Sequence, residues 1–69
     1  MVRLGRYRHY KGNEYQVLFL AKESDTEEDV VVYQDCNDST KVWVRSLHVF
    51  TETVELHDAT VPRFTFLHE

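Results

Sequence analysis

Polar and apolar positions alternate in short bursts along this chain, and the period is two almost throughout. In Gly5-Arg6-Tyr7-Arg8-His9-Tyr10, Tyr7 and His9 fall on one side and Arg6, Arg8 and Tyr10 on the other, the pattern of a strand with one wet face. Lys11-Gly12-Asn13 follows as a turn, with Gly12-Asn13 suited to a two-residue loop because both residue types tolerate positive φ. Tyr15-Gln16-Val17-Leu18-Phe19-Leu20 reads as a second strand. After Gln16 it is apolar on both sides, Val17 and Phe19 on one and Leu18 and Leu20 on the other, which predicts cover on both faces. Val30-Val31-Val32-Tyr33-Gln34 and Lys41-Val42-Trp43-Val44-Arg45 are two further strands, joined through the polar turn Asp35-Cys36-Asn37-Asp38-Ser39 as a hairpin with a loop of about five residues.

The remaining segments are shorter. Glu23 to Asp29 is an acidic connector with Ser24 and Glu27 at capping-box spacing, but no amphipathic run follows, so it predicts one helical turn or a loop. Leu47 and Phe50, three apart, suit a single helical turn. Thr51-Glu52-Thr53-Val54-Glu55 alternates again, and Pro62-Arg63-Phe64-Thr65-Phe66 reads as an edge strand with proline tolerated at its start. Together these elements predict a mainly β fold, a small barrel or sandwich of about five short strands with at most one or two helical turns. At 69 residues the chain has room for one domain, spanning 1–69 without a linker, and its core must be thin.

Composition supports the strand reading, with ten Val, no Ile, nine aromatic residues and only two Ala. The single cysteine, Cys36, excludes an internal disulfide, and no Cys/His spacing supplies a structural zinc site. The N-terminal stretch from Met1 to Arg6 has no apolar signal region, and no stretch approaches the roughly 20 apolar residues of a membrane span, so the expected compartment is the cytoplasm. Net charge is −4, but Arg3, Arg6, Arg8 and Lys11 sit in the first twelve residues without an acid. Four bases therefore remain against all twelve acids elsewhere, a balance of −8. A basic first strand on an acidic body argues against general adhesion to nucleic acid and permits a local anion-binding stripe.

Gly5-x-Tyr7-x-His9-Tyr10-Lys11-Gly12-x-x-Tyr15-x-Val17, then Val31-Val32-Tyr33, Trp43-Val44-Arg45 and Val61-Pro62-Arg63-Phe64, taken in order, resemble an uncharacterised family of small bacterial domains of unknown function. The resemblance covers nearly the whole chain. It implies a compact SH3-like, partly open β barrel and assigns no activity, cofactor or catalytic residue. The chain departs from the family pattern around the tryptophan, where Cys36 to Thr40 replaces an aromatic-and-Gly turn and Ser46 stands in place of a proline.

Catalytic equipment is scarce. Cys36 can be drawn against His9, His48, His57 or His68, but Asp35 and Asp38 beside it would raise a thiol pKa. With Gly5 and Gly12 the only glycines there is no phosphate-binding loop, and the acidic connector lacks a calcium-loop pattern. No catalytic, cofactor or metal residue is assigned, and the expectation is a protein that binds rather than catalyses. Alternation places Arg6, Arg8 and Tyr10 on one strand face and Lys41, Trp43 and Arg45 on another, opposite Val42 and Val44. If Val42 and Val44 face the core, Trp43 is an exposed aromatic between two cations. If the register is inverted, or Phe64 and Phe66 cover it, Trp43 belongs to the core. The leading reading is a non-catalytic module that takes a peptide or protein on this cation-aromatic face. The alternative is a single-stranded nucleic-acid binder stacking bases on Tyr10 and Trp43. A third, outside both, is an enzyme assembled across an oligomer interface.

Overall fold

The computed structural model describes residues 2–69; Met1, the first residue of the basic N-terminal stretch, lies outside them. Seven strands and one helical turn follow in the order β1 (Gly5–His9), β2 (Glu14–Lys22), β3 (Asp29–Asp35), β4 (Asp38–Ser46), α1 (Leu47–Phe50), β5 (Thr53–Leu56), β6 (Ala59–Pro62) and β7 (Phe64–His68). Five of them form one antiparallel sheet in the order β4-β3-β2-β1-β7, and β5 and β6 form a separate hairpin. The fold is mainly β as its alternation predicts, with a sheet that is partly open, β4 and β7 being its two edges.

Pairing explains which side chains are buried. Directly opposite residues of an antiparallel pair share a face. Gly5, Val17, Tyr33 and Trp43 stand in one row across four strands, and Tyr7 and Tyr15 pair in the next. This inner face carries Tyr7, Val17, Val31 and Tyr33 into a core completed by Val2, Phe50 and Phe64. Helix α1 supplies the lid. Ser46 caps it, its Oγ accepting the Val49 N–H at 3.1 Å, and Thr51 Oγ1 donates to the Leu47 carbonyl at 2.9 Å. Phe50, fixed by that turn and only 2% exposed, stacks on Phe64 with ring centroids 4.0 Å apart and planes 7° from parallel. Tyr7 and Tyr33 meet the Phe50 ring edge-on at 5.4 and 5.6 Å.

The structure corrects several expectations. β2 is not covered on both faces. Val17 pairs with Tyr33 but Phe19 pairs with Val32, so Leu18 is an extra residue that throws the alternation out of step. Val17 therefore points to the core at 1% exposure while Phe19, two residues on, lies on the bare outer face at 63%. The β1–β2 connection runs through residues 10–13 rather than a two-residue Gly12-Asn13 loop, closed by His9 N–H to the Asn13 carbonyl and Gly12 N–H to the His9 carbonyl, both at 2.8 Å. The β3–β4 loop is shorter than expected, only Cys36 and Asn37, because Asp35 Oδ1 accepts the Asn37 N–H at 2.7 Å and tightens the turn. β6 has no counterpart in the sequence reading: Pro62 ends it instead of opening the last strand, at a position in a two-stranded hairpin where its missing N–H is tolerated.

Two backbone positions carry local cost or constraint. Gly5 has φ +141°, and a Cβ there would stand 2.7 Å from the His68 carbonyl oxygen, where β7 gains an extra residue against β1. Glu27, exposed in the connector, adopts φ 61°, a left-handed conformation unfavourable for a side chain. Gly5→Ala is expected to destabilise the fold by about 2–4 kcal/mol, seen as a lower urea midpoint at unchanged slope. Glu27→Gly is expected to do the opposite, gaining about 0.5–1 kcal/mol and raising the thermal midpoint by a few degrees; a lower midpoint would refute the strain argument.

Candidate functional site

The six residues of the expected cation-aromatic face are not brought together. Arg6 and Arg8 lie on the outer face, where both bind one carboxylate: Arg6 Nε to Glu14 Oε1 at 2.6 Å and an Arg8 guanidinium nitrogen to Glu14 Oε2 at 3.1 Å. Hydrogen bonds from these two guanidiniums hold the Glu14 carboxyl below its ordinary pKa. Tyr10 lies beyond the end of β1, its ring 4.5 Å from that of His9 and its backbone N–H donating to the Arg63 carbonyl at 3.0 Å. Lys41 lies within β4, its Nζ 3.9 Å from an Asp38 oxygen.

Trp43 and Arg45 occupy the opposite face from the one that would set Val42 and Val44 in the core. β3 turns Val31 and Tyr33 inward at 0% and 5% exposure, and their partners across the ladder are Arg45 and Trp43, so these two share the inner face. Val42 and Val44 consequently face out, 50% and 64% exposed. The register is thus the inverted one, yet Trp43 is not core either. β4 is an edge strand overhanging the rim of the aromatic cluster, and Trp43 stays 47% exposed there.

At that rim His9 from β1, Tyr15 from β2, Tyr33 from β3, Trp43 and Arg45 from β4, and Phe64 from β7 line a pocket of about 220 Å³. An apolar cavity of roughly 150 Å³ accommodates benzene, whereas drug-sized ligands need pockets of roughly 300 Å³ or more. The space suits one ring-sized group. Its walls are braced by edge-to-face packing, with Tyr15–Tyr33, Tyr33–Phe64 and His9–Phe64 centroids at 5.3, 5.5 and 4.9 Å. Arg45 is oriented by its Nε–H, which donates to the Tyr33 hydroxyl oxygen at 3.2 Å.

Charge around the pocket is uneven. Burial, and then the nearby charges of Arg63, Lys11 and Arg45, push the His9 pKa down, so the ring is held neutral. Its Nδ1 accepts the Lys11 backbone N–H at 3.2 Å, which leaves Nε2–H as its donor. Arg63 reaches Glu52 only at 3.9 Å, and its Nε is buried without a hydrogen-bond partner. A depression of about 230 Å³ between β2, β3 and α1 is lined by Leu20, Ala21, Val30 and Leu47, and its one cation, Lys22, is held by Asp29 at 2.7 Å.

Other chemistry finds no support in the geometry. Cys36 is half-buried in the β3–β4 turn, and among the described residues no hydrogen bond joins its thiol to a histidine. No group of three or more His, Cys, Asp or Glu among the described residues is placed to hold a metal ion, and no helix is long and apolar enough to cross a membrane. Of the pocket residues, Trp43 and Arg45 were visible as candidates in the sequence. The sequence places Tyr15, Tyr33 and Phe64 on strands and gives them no part in a site; the one signal for His9 is its alternation with Tyr7, which places it on the apolar side of β1.

The comparison with curated proteins returns no match. A solved structure of a protein from Bordetella bronchiseptica, described as belonging to DUF1653, superposes with a TM-score of 0.86 at 38% identity, covering 96% of this chain and 87% of the other. The family model described as "Protein of unknown function (DUF1653)" matches residues 5–66, from the glycine that opens β1 to the second phenylalanine of β7. The chain belongs to the DUF1653 family.

Proposed function

We propose that this domain is a non-catalytic binding module that takes an extended peptide segment of another protein, seating one side chain in the aromatic pocket beside β4. The observation that carries this reading is the position of the pocket on the inner rim of an open sheet edge. β4 is nine residues long and has a strand neighbour on one side only. A peptide laid along its free side gains backbone hydrogen bonds, and every second side chain then falls on the inner face next to Trp43 and Arg45. Half-exposed aromatic residues at such a position are the usual anchors of recognition.

The nucleic-acid alternative draws less support. A single strand needs a row of cations to follow successive phosphates, whereas Arg6 and Arg8 share the single carboxylate of Glu14 on the other face and Lys41 stands 3.9 Å from Asp38. Selection of peptides from a random display library against the folded domain tests the proposal, with Trp43, the sole tryptophan, as fluorescent reporter. Selected peptides should alter Trp43 emission and lose about tenfold or more in affinity to Trp43→Ala. Tighter binding of an oligothymidylate, falling steeply with salt, would overturn the peptide reading.

His9 adds a pH dependence to the site. Its pKa is depressed in the folded state from an ordinary value of 6.5, by burial first and then by Arg63, Lys11 and Arg45. As pH falls, the unfolded chain takes up the proton before the folded one, so stability is full above pH 6.5 and is lost as pH drops through the depressed folded value. Thermal melts between neutral and mildly acidic pH should therefore fall less steeply for His9→Gln than for the native chain. Parallel curves would show that His9 is not the group responsible.

A further inference from the structure

The eight lysines and arginines are not equally engaged. Arg3 is paired with Glu69, Arg6 and Arg8 with Glu14, Lys22 with Asp29, Lys41 with Asp38 and Arg63 with Glu52. Among the described residues, Lys11 and Arg45 alone lack a carboxylate partner. In a chain with twelve acids and a net charge of −4, these two cations without a carboxylate partner are exceptions. Both lie near His9: Lys11 donates its backbone N–H to the ring, and Arg45 lines the same pocket. The pocket lining holds one cation, Arg45, among aromatic side chains, and Arg45 is two residues from Trp43 on the same face.

That spacing sets the form of the complementary segment. In a strand added antiparallel to β4, the residue opposite Arg45 and the residue opposite Trp43 are also two apart and both face the pocket, with Cβ atoms roughly 4.5–5.5 Å from their partners. Resting on the peptide-binding proposal, we infer that the recognised segment is an extended peptide carrying Asp or Glu two positions before an aromatic residue. Its ring enters the pocket of His9, Tyr15, Tyr33 and Phe64 against Trp43. Its carboxylate accepts from the free N–H groups of the Arg45 guanidinium, the Nε–H being engaged with Tyr33.

Three blocked pentapeptides test this: acetyl-Ala-Glu-Thr-Phe-Ala-amide, the same peptide with Gln for Glu, and acetyl-Ala-Thr-Glu-Phe-Ala-amide, in which the acid faces the other way. At low salt the first should quench or shift Trp43 emission with affinity about tenfold above either of the others. Arg45→Gln should abolish the difference and Arg45→Lys restore part of it. Arg45 lies at the sheet edge, so both variants are expected to keep the native circular dichroism and thermal midpoint, which are measured alongside. Equal affinity for the Glu and Gln peptides, or discrimination that survives Arg45→Gln, would overturn the acidic requirement while leaving the peptide site standing. If none of the three perturbs Trp43 at millimolar concentration, or if uridine monophosphate binds more tightly than any of them, both the inference and the peptide reading fall.

Discussion

The parallel stack of Phe50 on Phe64 is the contact on which the rest of this fold depends. A single open sheet has one face to bury, and a helix of four residues supplies the one residue of α1 in the core, Phe50. That helix succeeds because one ring, delivered by the capped turn, meets Phe64 flat and Tyr7 and Tyr33 edge-on, so a single side chain ties α1 to β1, β3 and β7. Replacing a buried Phe by Ala typically costs about 3–5 kcal/mol, comparable with the whole stability a domain of this size can draw from its core. Aromatic residues are used here for area: each fills more of a thin core than an aliphatic side chain can.

The same economy leaves the pocket. A lid of one turn leaves part of the inner face uncovered, and beyond Phe50 that face is finished by rings packed edge to face. Trp43 and Arg45 belong to that unfinished margin. Placing a cation on the core-facing side of an edge strand also guards the edge, since an inward-pointing charge discourages unselective strand pairing. In the proposed complex, selectivity and protection come from one residue: a partner strand without an anion opposite Arg45 leaves a guanidinium partly desolvated and unpaired.

The strands were legible in the sequence because their inner residues are large and regularly spaced: Tyr7 with His9, and Val31 with Tyr33, each alternate as the sheet requires. The helical turn was legible from Leu47 and Phe50. What alternation could not reveal was a change of phase. The extra Leu18 puts Phe19 on the other face from Val17, a break that no local pattern announces because all three residues are apolar. Nor could alternation say which side of β4 faces in, since Val42 and Val44 on one side and Trp43 on the other are both plausible core. Neighbouring β3 decides it through register, which is non-local. The pocket was hidden for the same reason: its six lining residues come from five strands, and only Trp43 and Arg45 lie close together in the chain.

The first and last strands of the chain are neighbours in the sheet, clasped where Gly5 lets β7 approach and where Arg3 reaches Glu69 at 2.8 Å. The polypeptide therefore enters and leaves this fold at one corner, as a loop does. Such a unit can be spliced between two residues of a host protein as readily as it can be appended to an end, without prising the host apart. Since β4 is the edge of the sheet opposite β7, a junction with a host at that corner leaves the free side of β4 open.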